Sequence, residues 1–448
     1  MTASNDRGKP LSRTGTNTRP DHFRLIGVGA GPANLSLAAL LHGDPELPNL
    51  FFDGKPRFAW HDDQLISGAT LQVSIFKDLV SLSDPVNRFS FLSYLHERGR
   101  MYHFLNAQFT HVPRSEFRNY LTWAAEHNEN VVFGETVRRI EFDGEFRVVT
   151  DRRAVTADNI AVGVGTVPRV PEFAAPHLGE TQFHVSAFLS KSNGLRGKRV
   201  AVVGGGQSGA EAFLDLISRP PAERPAWVVW IARRRGYFPI DDSAFTNDFF
   251  MPDYSDYFYH LPEETRAEIN VAHLLTSDGI SESTLRAIYQ ELYRIQFLDG
   301  AADRFGLMPS RTVTAVDPVA GGWELSLQHN DEPHQTQCVP VDAVVWATGF
   351  APGDKSFLDP LRGRIEVENG EFRLDEDFAA VWDGPPDRNI FLQNAARGQR
   401  GLPDVNLSLN AWRAKRIADR LRGWRSAEPV PSFVEWSGKN ARTRDDRR

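Results

Sequence analysis

Apolar positions along the chain fall into a recurring order: a short run rich in β-branched or aromatic residues, then glycines, then a stretch with apolar residues at helical spacing. The first instance is FRLIGVGAGPANLSLAALLHG, where Phe23 to Ile26 predict a buried strand and Ala33 to Leu41 a helix closed by Gly43. KRVAVVGGGQSGAEAFLDLIS repeats the order, with Val200 to Val203 as strand and Ser208 to Ile217 as helix. A later apolar run, Ala343 to Ala347 in VDAVVWATGF, predicts a further strand before Gly349. Strand, glycine loop and helix make the unit of a doubly wound α/β domain, so the fold class is α/β with two Rossmann-like dinucleotide-binding domains. The late strand is read as a return to the first domain. That gives one domain of residues 23–193 and 342–436 and a second, inserted domain of residues 194–341. Inside the insert, the proline-rich RPPAERP separates the first helix from the next strand, Trp227 to Ile231. Residues 1–22 and 437–448 are polar, lack apolar periodicity and are expected to be disordered.

Composition then removes function classes. The chain has 448 residues, 41% of them hydrophobic, which is enough for a large core. Its longest apolar-looking stretch, Leu25 to Leu41, is interrupted by glycines, a proline, an asparagine and a serine, so it would span a membrane poorly. A long polar stretch precedes it and no clean cleavage site follows, so a signal peptide is not expected and the location is read as cytoplasmic. The net charge of −7 argues against nucleic-acid binding, and any phosphate must be caught locally. With Cys338 as the one cysteine, there is no intrachain disulfide, no cysteine-based metal framework and no redox-active dithiol. Asp241 and Asp242 are adjacent without the His or Glu spacing that would complete a metal site, so no metal is expected. The 30 Phe, 10 Trp and 9 Tyr are read first as core.

The two glycine loops differ. Gly204, Gly206 and Gly209 fit G-x-G-x-x-G after a buried strand and at a helix start, where close backbone approach and the positive helix end suit a pyrophosphate. The following strand ends in Arg233, Arg234 and Arg235 in place of an acid, which suits the 2′-phosphate of NADPH better than the free ribose of NADH. In the first loop Gly27 and Gly29 are in place, but Pro32 takes the third position, with Gly31 before it. Proline is tolerated in a first helical turn, and Asp53 in LFFD is a plausible ribose acid. A flavin dinucleotide beside an NADPH site, with no dithiol, leaves a partner protein, an organic substrate or O2 as electron acceptor.

With these motifs, the chain resembles the flavin-dependent N-hydroxylating monooxygenases that act on lysine, ornithine or short diamines in hydroxamate siderophore biosynthesis. The matching segments are GVGAGPANLSLAALL, FAWH, LQVSIFKDLVSLSDPVNRFSFLSYL, VVGGGQSGAE, DDSAFTNDFF, WATGF and LPDVNLSLNAWRAKRI. The resemblance implies FAD and NADPH as cofactors and a small amine plus O2 as substrates. Oxygen would pass to the terminal nitrogen through a flavin hydroperoxide, with no side chain as a strong general base. FAD would meet the first glycine loop at Gly27, Gly29, Gly31 and Pro32, then Asp53, Trp60, His61 and Gln72, and further on Val137, Asn406 and Leu407. NADP would meet Gly204, Gly206, Gln207, Ser208 and Gly209, with Arg233 at the 2′-phosphate and Ser277 and Asp278 nearby. Lys77 matches the lysine that meets the substrate carboxylate, Asn247 the asparagine at the substrate's backbone-like end, and Ser408 a serine near flavin and substrate.

Two departures matter. Arg400-Gly401 stands where the family commonly has His-Gly, and the Thr276 to Gly279 stretch stands where ornithine-acting members usually carry an asparagine. The second is closer to the lysine and diamine branch, and Lys77 suits a carboxylate, so L-lysine is the expected substrate, with cadaverine, putrescine, diaminopropane and ornithine as alternatives. Relatives are often homotetramers, which implies a homo-oligomer. The competing readings are an NADPH-dependent flavin reductase serving a protein partner, a catalytically silent FAD-binding regulator and a flavin monooxygenase attacking sulfides or ketones.

Overall fold

The computed structural model describes residues 21–424 and 431–437. Most of the two stretches expected to be disordered therefore lies outside the described residues, although His22 already opens the first strand. That strand, His22–Val28, is followed by the helix Pro32–Leu40, as the apolar pattern requires. Asn49–Asp53 and Ala154–Val162 pair with it in parallel on either side, and Val131–Phe133 extends the parallel set beyond Asn49–Asp53. Two antiparallel strands, Glu145–Thr150 and Val137–Asp143, complete the other edge. Asn49–Asp53 is buried at every position, the signature of a strand covered on both faces.

The second sheet is wholly parallel, in the order Phe305–Met308, Trp227–Ile231, Arg199–Val203, Ala343–Trp346, Gln182–His184. One face packs against the helix Gln207–Ser218 through Phe213, Leu216 and Ile217. The other is covered by an antiparallel three-stranded sheet, Arg311–Val319, Gly322–His329 and Thr336–Val341.

The strands correct the boundaries read from sequence. Ala343–Trp346 does not rejoin the first sheet; it lies in the second, between Arg199–Val203 and Gln182–His184. All four of its residues are buried, and the Trp346 indole N–H donates to Gln182 Oε1 at 2.9 Å, a partner that a buried indole needs. An all-apolar run announces a central parallel strand without saying in which sheet. The second sheet thus begins before residue 194 and ends after residue 341, and the chain rejoins the first sheet at Ile390–Leu392, parallel to Ala154–Val162.

Many aromatic residues are core, as read, while others are exposed. Tyr94, Phe117, Tyr120 and Trp123 pack together under the helices Phe91–Glu97 and Arg114–Glu126. The C-terminal helix Asn410–Leu421 lies against the first glycine-loop helix through Ala414, Ile417 and Leu421. Among the described residues no helix is long and apolar enough to cross a membrane.

Candidate active site

Two cavities share a wall. The first, of about 1170 Å³, is lined by Gly29, Gly31 and Pro32 of the first glycine loop and by Asp53 at the end of the second strand. Trp60, His61, Val137 and Leu407 also line it. Gly29 has φ +87°, and a Cβ there would lie 2.5 Å from the Gly163 carbonyl oxygen, so only glycine lets the loop cross the neighbouring strand so closely. The helix Pro32–Leu40 begins without a side-chain cap or a first-turn acid, which leaves its positive end for an anion. Asp53 sits where a ribose acid belongs, its carboxylate accepting from the Ala30 and Lys55 amides, each at 2.9 Å. His61 is held at φ 53° with Nδ1 2.9 Å from Gln64 Oε1, and burial pushes its pKa down, so the imidazole is neutral at pH 7. Gly27 does not reach this cavity. It lies inside the strand, where a Cβ would meet the Phe51 ring.

Gln72, Val73, Val405 and Asn406 line both cavities. On this wall the Gln72 amide nitrogen is buried without a hydrogen-bond partner. Buried donors are nearly always paired, so an orphan here marks a place for a ligand acceptor. The large cavity, the uncapped helix end, the acid at the strand end and this free amide fit a flavin dinucleotide.

The second cavity, of about 1190 Å³, brings together Lys77, Asn247 and Ser408. The segment carrying Lys77 is fixed by the next residue: the buried Asp78 carboxylate accepts from the amides of Val80 (2.9 Å), Ser81 (2.6 Å) and Phe91 (2.7 Å). Lys77 Nζ donates to Ser408 Oγ at 3.0 Å and lies 5.4 Å from the centre of the Phe250 ring. Burial, with no neighbouring charge to offset it, pushes the Lys77 pKa below the ordinary lysine value. The Asn247 amide nitrogen donates to the Asp242 (2.9 Å) and Ser243 (3.2 Å) carbonyls, and the residue lines the cavity. Asp241, Asp242 and Asp278 also line this cavity, as do Phe104, Phe109 and Trp412.

At the second glycine loop Gly204 has φ +142°, and a Cβ would lie 2.0 Å from the Ala347 carbonyl oxygen; Gly209 approaches the Gly204 carbonyl as closely. Gln207 and Ser208, the first residues of the uncapped helix Gln207–Ser218, line the first cavity, so the two glycine loops face one space. Gly204, Gly206 and Gly209 shape the turn and line neither cavity. Of the three arginines, Arg234 donates to the Asp278 carbonyl at 2.8 Å and Arg235 pairs with Asp331 at 2.7 Å. Arg233 is exposed and makes no ion pair among the described residues, and so is open to an anion. Ser277 and Asp278 line the Lys77 cavity while the Asp278 carbonyl lies beside Gly206.

Sequence reasoning passed over several positions. Asn34, 1% exposed, donates its amide to the carbonyls of Val28 (3.1 Å), Gly29 (2.7 Å) and Ala161 (3.2 Å), pinning the first glycine loop to its sheet. An asparagine in the first turn of a largely apolar helix was the available signal. The departure at Arg400 falls in the fold: the guanidinium lines neither cavity, pairs with Asp256 at 2.8 Å and lies over the rings of Tyr259 and Phe378.

Two glycine-loop sheets opening on one space, with a second cavity sharing its wall, define a two-dinucleotide oxidoreductase. Residues 21–352 match the family described as L-lysine 6-monooxygenase/L-ornithine 5-monooxygenase. Over 418 residues the chain is 37% identical to the L-lysine N6-monooxygenase of Escherichia coli, covering 92% of this chain and 98% of that protein. The FAD-bound cadaverine monooxygenase of desferrioxamine biosynthesis from Erwinia amylovora superposes with a TM-score of 0.85 at 26% identity, covering 92% of this chain and 99% of that one. An ornithine N-hydroxylase of Kutzneria sp. 744, solved with reduced FAD, NADP⁺ and L-ornithine, gives 0.82 at 30% identity, covering 90% and 99%. The chain belongs to this family of flavin-dependent N-hydroxylating monooxygenases, which serve siderophore biosynthesis and use FAD and NADPH.

Proposed function

We propose that the amine hydroxylated is the terminal nitrogen of L-lysine, held in the Lys77 cavity with FAD in the adjoining cavity and NADPH at the second glycine loop. The observation that carries this reading is Lys77 itself: a part-buried ammonium with a hydroxyl for partner and no charge to offset it is a site for a carboxylate. Asn247 and Ser408 would flank that carboxylate, while Asp241, Asp242 and Asp278 offer negative charge for the α-ammonium. Gly29, Gly31 and Pro32 would hold the flavin pyrophosphate, Asp53 its ribose, and Gln72 and Asn406 the ring on the shared wall. Gln207 and Ser208 would take the NADPH pyrophosphate and Arg233 its 2′-phosphate. Likeness to the Escherichia coli lysine enzyme supports the substrate. A diamine is the second reading, favoured by the same three aspartates, which suit a second ammonium.

Once bound and reduced, the flavin supplies the activation of O2. The protein's part is to orient the substrate and to receive its amine uncharged. A lysine-type amine titrates near 10.4, so presenting it neutral at pH 7 costs about 4.6 kcal/mol. The apolar side of the cavity, with Phe104, Phe109 and Trp412, offsets part of this by disfavouring an ammonium. Lys77→Ala tests the reading: the KM for L-lysine should rise at least about tenfold, as expected for a lost charge-assisted contact of 1.5–3 kcal/mol. The rate of flavin reduction by NADPH should change little. If reduction falls as much as lysine binding, Lys77 does not serve the substrate.

A further inference from the structure

A chain of polar contacts joins the two cofactor regions, and no glycine motif accounts for it. Arg114 opens the helix Arg114–Glu126 on the wall of the first cavity. Its guanidinium forks onto Glu211, with Nη2 to Oε1 at 2.7 Å and Nη1 to Oε2 at 3.0 Å. The side chains are only 15% and 7% exposed. Glu211 lies one turn into the helix that follows the second glycine loop, and its Oε1 also accepts from the Gln207 amide at 2.9 Å. Gln207 in turn accepts from the Ser281 amide at 2.8 Å. On the other side, Arg114 Nη1 donates to the Gln64 carbonyl at 3.1 Å, and the Gln64 side chain meets His61 at 2.9 Å. One connected path therefore runs from the wall of the first cavity to the start of the second glycine-loop helix.

A buried ion pair adds little net stability compared with an apolar pair, because desolvation offsets attraction, yet a two-pronged guanidinium fixes distance and angle closely. We infer that Arg114 and Glu211 are a positioning pair that sets the NADPH loop at hydride-transfer distance from the flavin. This rests on the cofactor placement proposed above. In the reductive half-reaction a hydride, carrying both electrons, passes from NADPH to FAD, and reacting atoms must come within about 3–3.5 Å. Neither residue touches the nicotinamide or the amine in this account; both act through Gln207, Gln64 and His61.

The test uses the full-length, FAD-loaded enzyme and its apoprotein, with Glu211→Gln, Arg114→Lys and the exchanged pair Arg114→Glu/Glu211→Arg. Glu211→Gln keeps the shape but removes the charge; Arg114→Lys keeps the charge but removes the fork. Each single variant should slow anaerobic flavin reduction at saturating NADPH by about 10- to 100-fold, the loss expected for a misplacement of about 1 Å. In Glu211→Gln, whose side chain lines neither cavity, FAD affinity and the KM for L-lysine should stay within about twofold. In the apoprotein, amide hydrogen exchange across residues 207–213 should accelerate in the single variants and return toward the native rate in the exchanged pair. Reduction at the native rate with unchanged exchange would overturn the inference, as would a loss in the exchanged pair equal to the sum of the single losses. Failure of the lysine reading would appear elsewhere, as absence of hydroxylated lysine from the unaltered enzyme.

Discussion

Lys77 is the residue on which the proposed substrate rests, and its burial would make that contact depend on pH. Burial holds its pKa below the ordinary lysine value, so the proposed carboxylate contact would be lost as pH rises through that lowered value. The KM for L-lysine should therefore climb on the alkaline side, and Lys77→Arg, charged throughout, should flatten the climb. A climb that persists unchanged in Lys77→Arg would assign the titration to another group. Arg233 makes a separate prediction. It is exposed and unpaired among the described residues, whereas Arg234 and Arg235 are engaged, so Arg233→Ala should raise the KM for NADPH about tenfold and leave that for NADH nearly unchanged. Equal effects would remove the 2′-phosphate contact. That Lys77, Asn247 and Ser408 line one cavity could be anticipated because each sits in a distinctive block. Glu211 was not, because its partner lies 97 positions away and pairing at that range leaves no local pattern.

At the scale of elements, glycine loops, their strands and their helices were legible almost to the residue: each follows from close backbone approach and apolar spacing. The strand Ala343–Trp346 was legible as a strand but placed in the wrong sheet, because its burial on both faces hides which neighbours it takes. The C-terminal loop that brings Asn406, Leu407 and Ser408 to the cavities has its own support. Arg413 and Asp404, both essentially fully buried, pair at 2.7 Å, while Asp404 also accepts from the Ala396 amide at 2.7 Å and Arg413 reaches Asn394. Asp404→Ala leaves a buried guanidinium unpaired and should cost about 3–5 kcal/mol. Denaturant unfolding of the FAD-loaded protein measures it, and a loss below about 1 kcal/mol would mean that water reaches Arg413.

At the scale of the whole molecule, the two glycine-loop sheets open on one space and the Lys77 cavity shares a wall with it, so in the proposed function reduction and hydroxylation would occur in adjoining compartments. Gln72, Val73, Val405 and Asn406 are that wall. The central claim is that the second compartment is built for an amino acid. Hydroxylamine formed per NADPH consumed, scored in parallel for L-lysine, L-ornithine, cadaverine, putrescine and diaminopropane, tests it most directly. The account predicts the highest yield, with kcat/KM larger by about tenfold or more, for L-lysine. A diamine coupled as well as or better than L-lysine would contradict it.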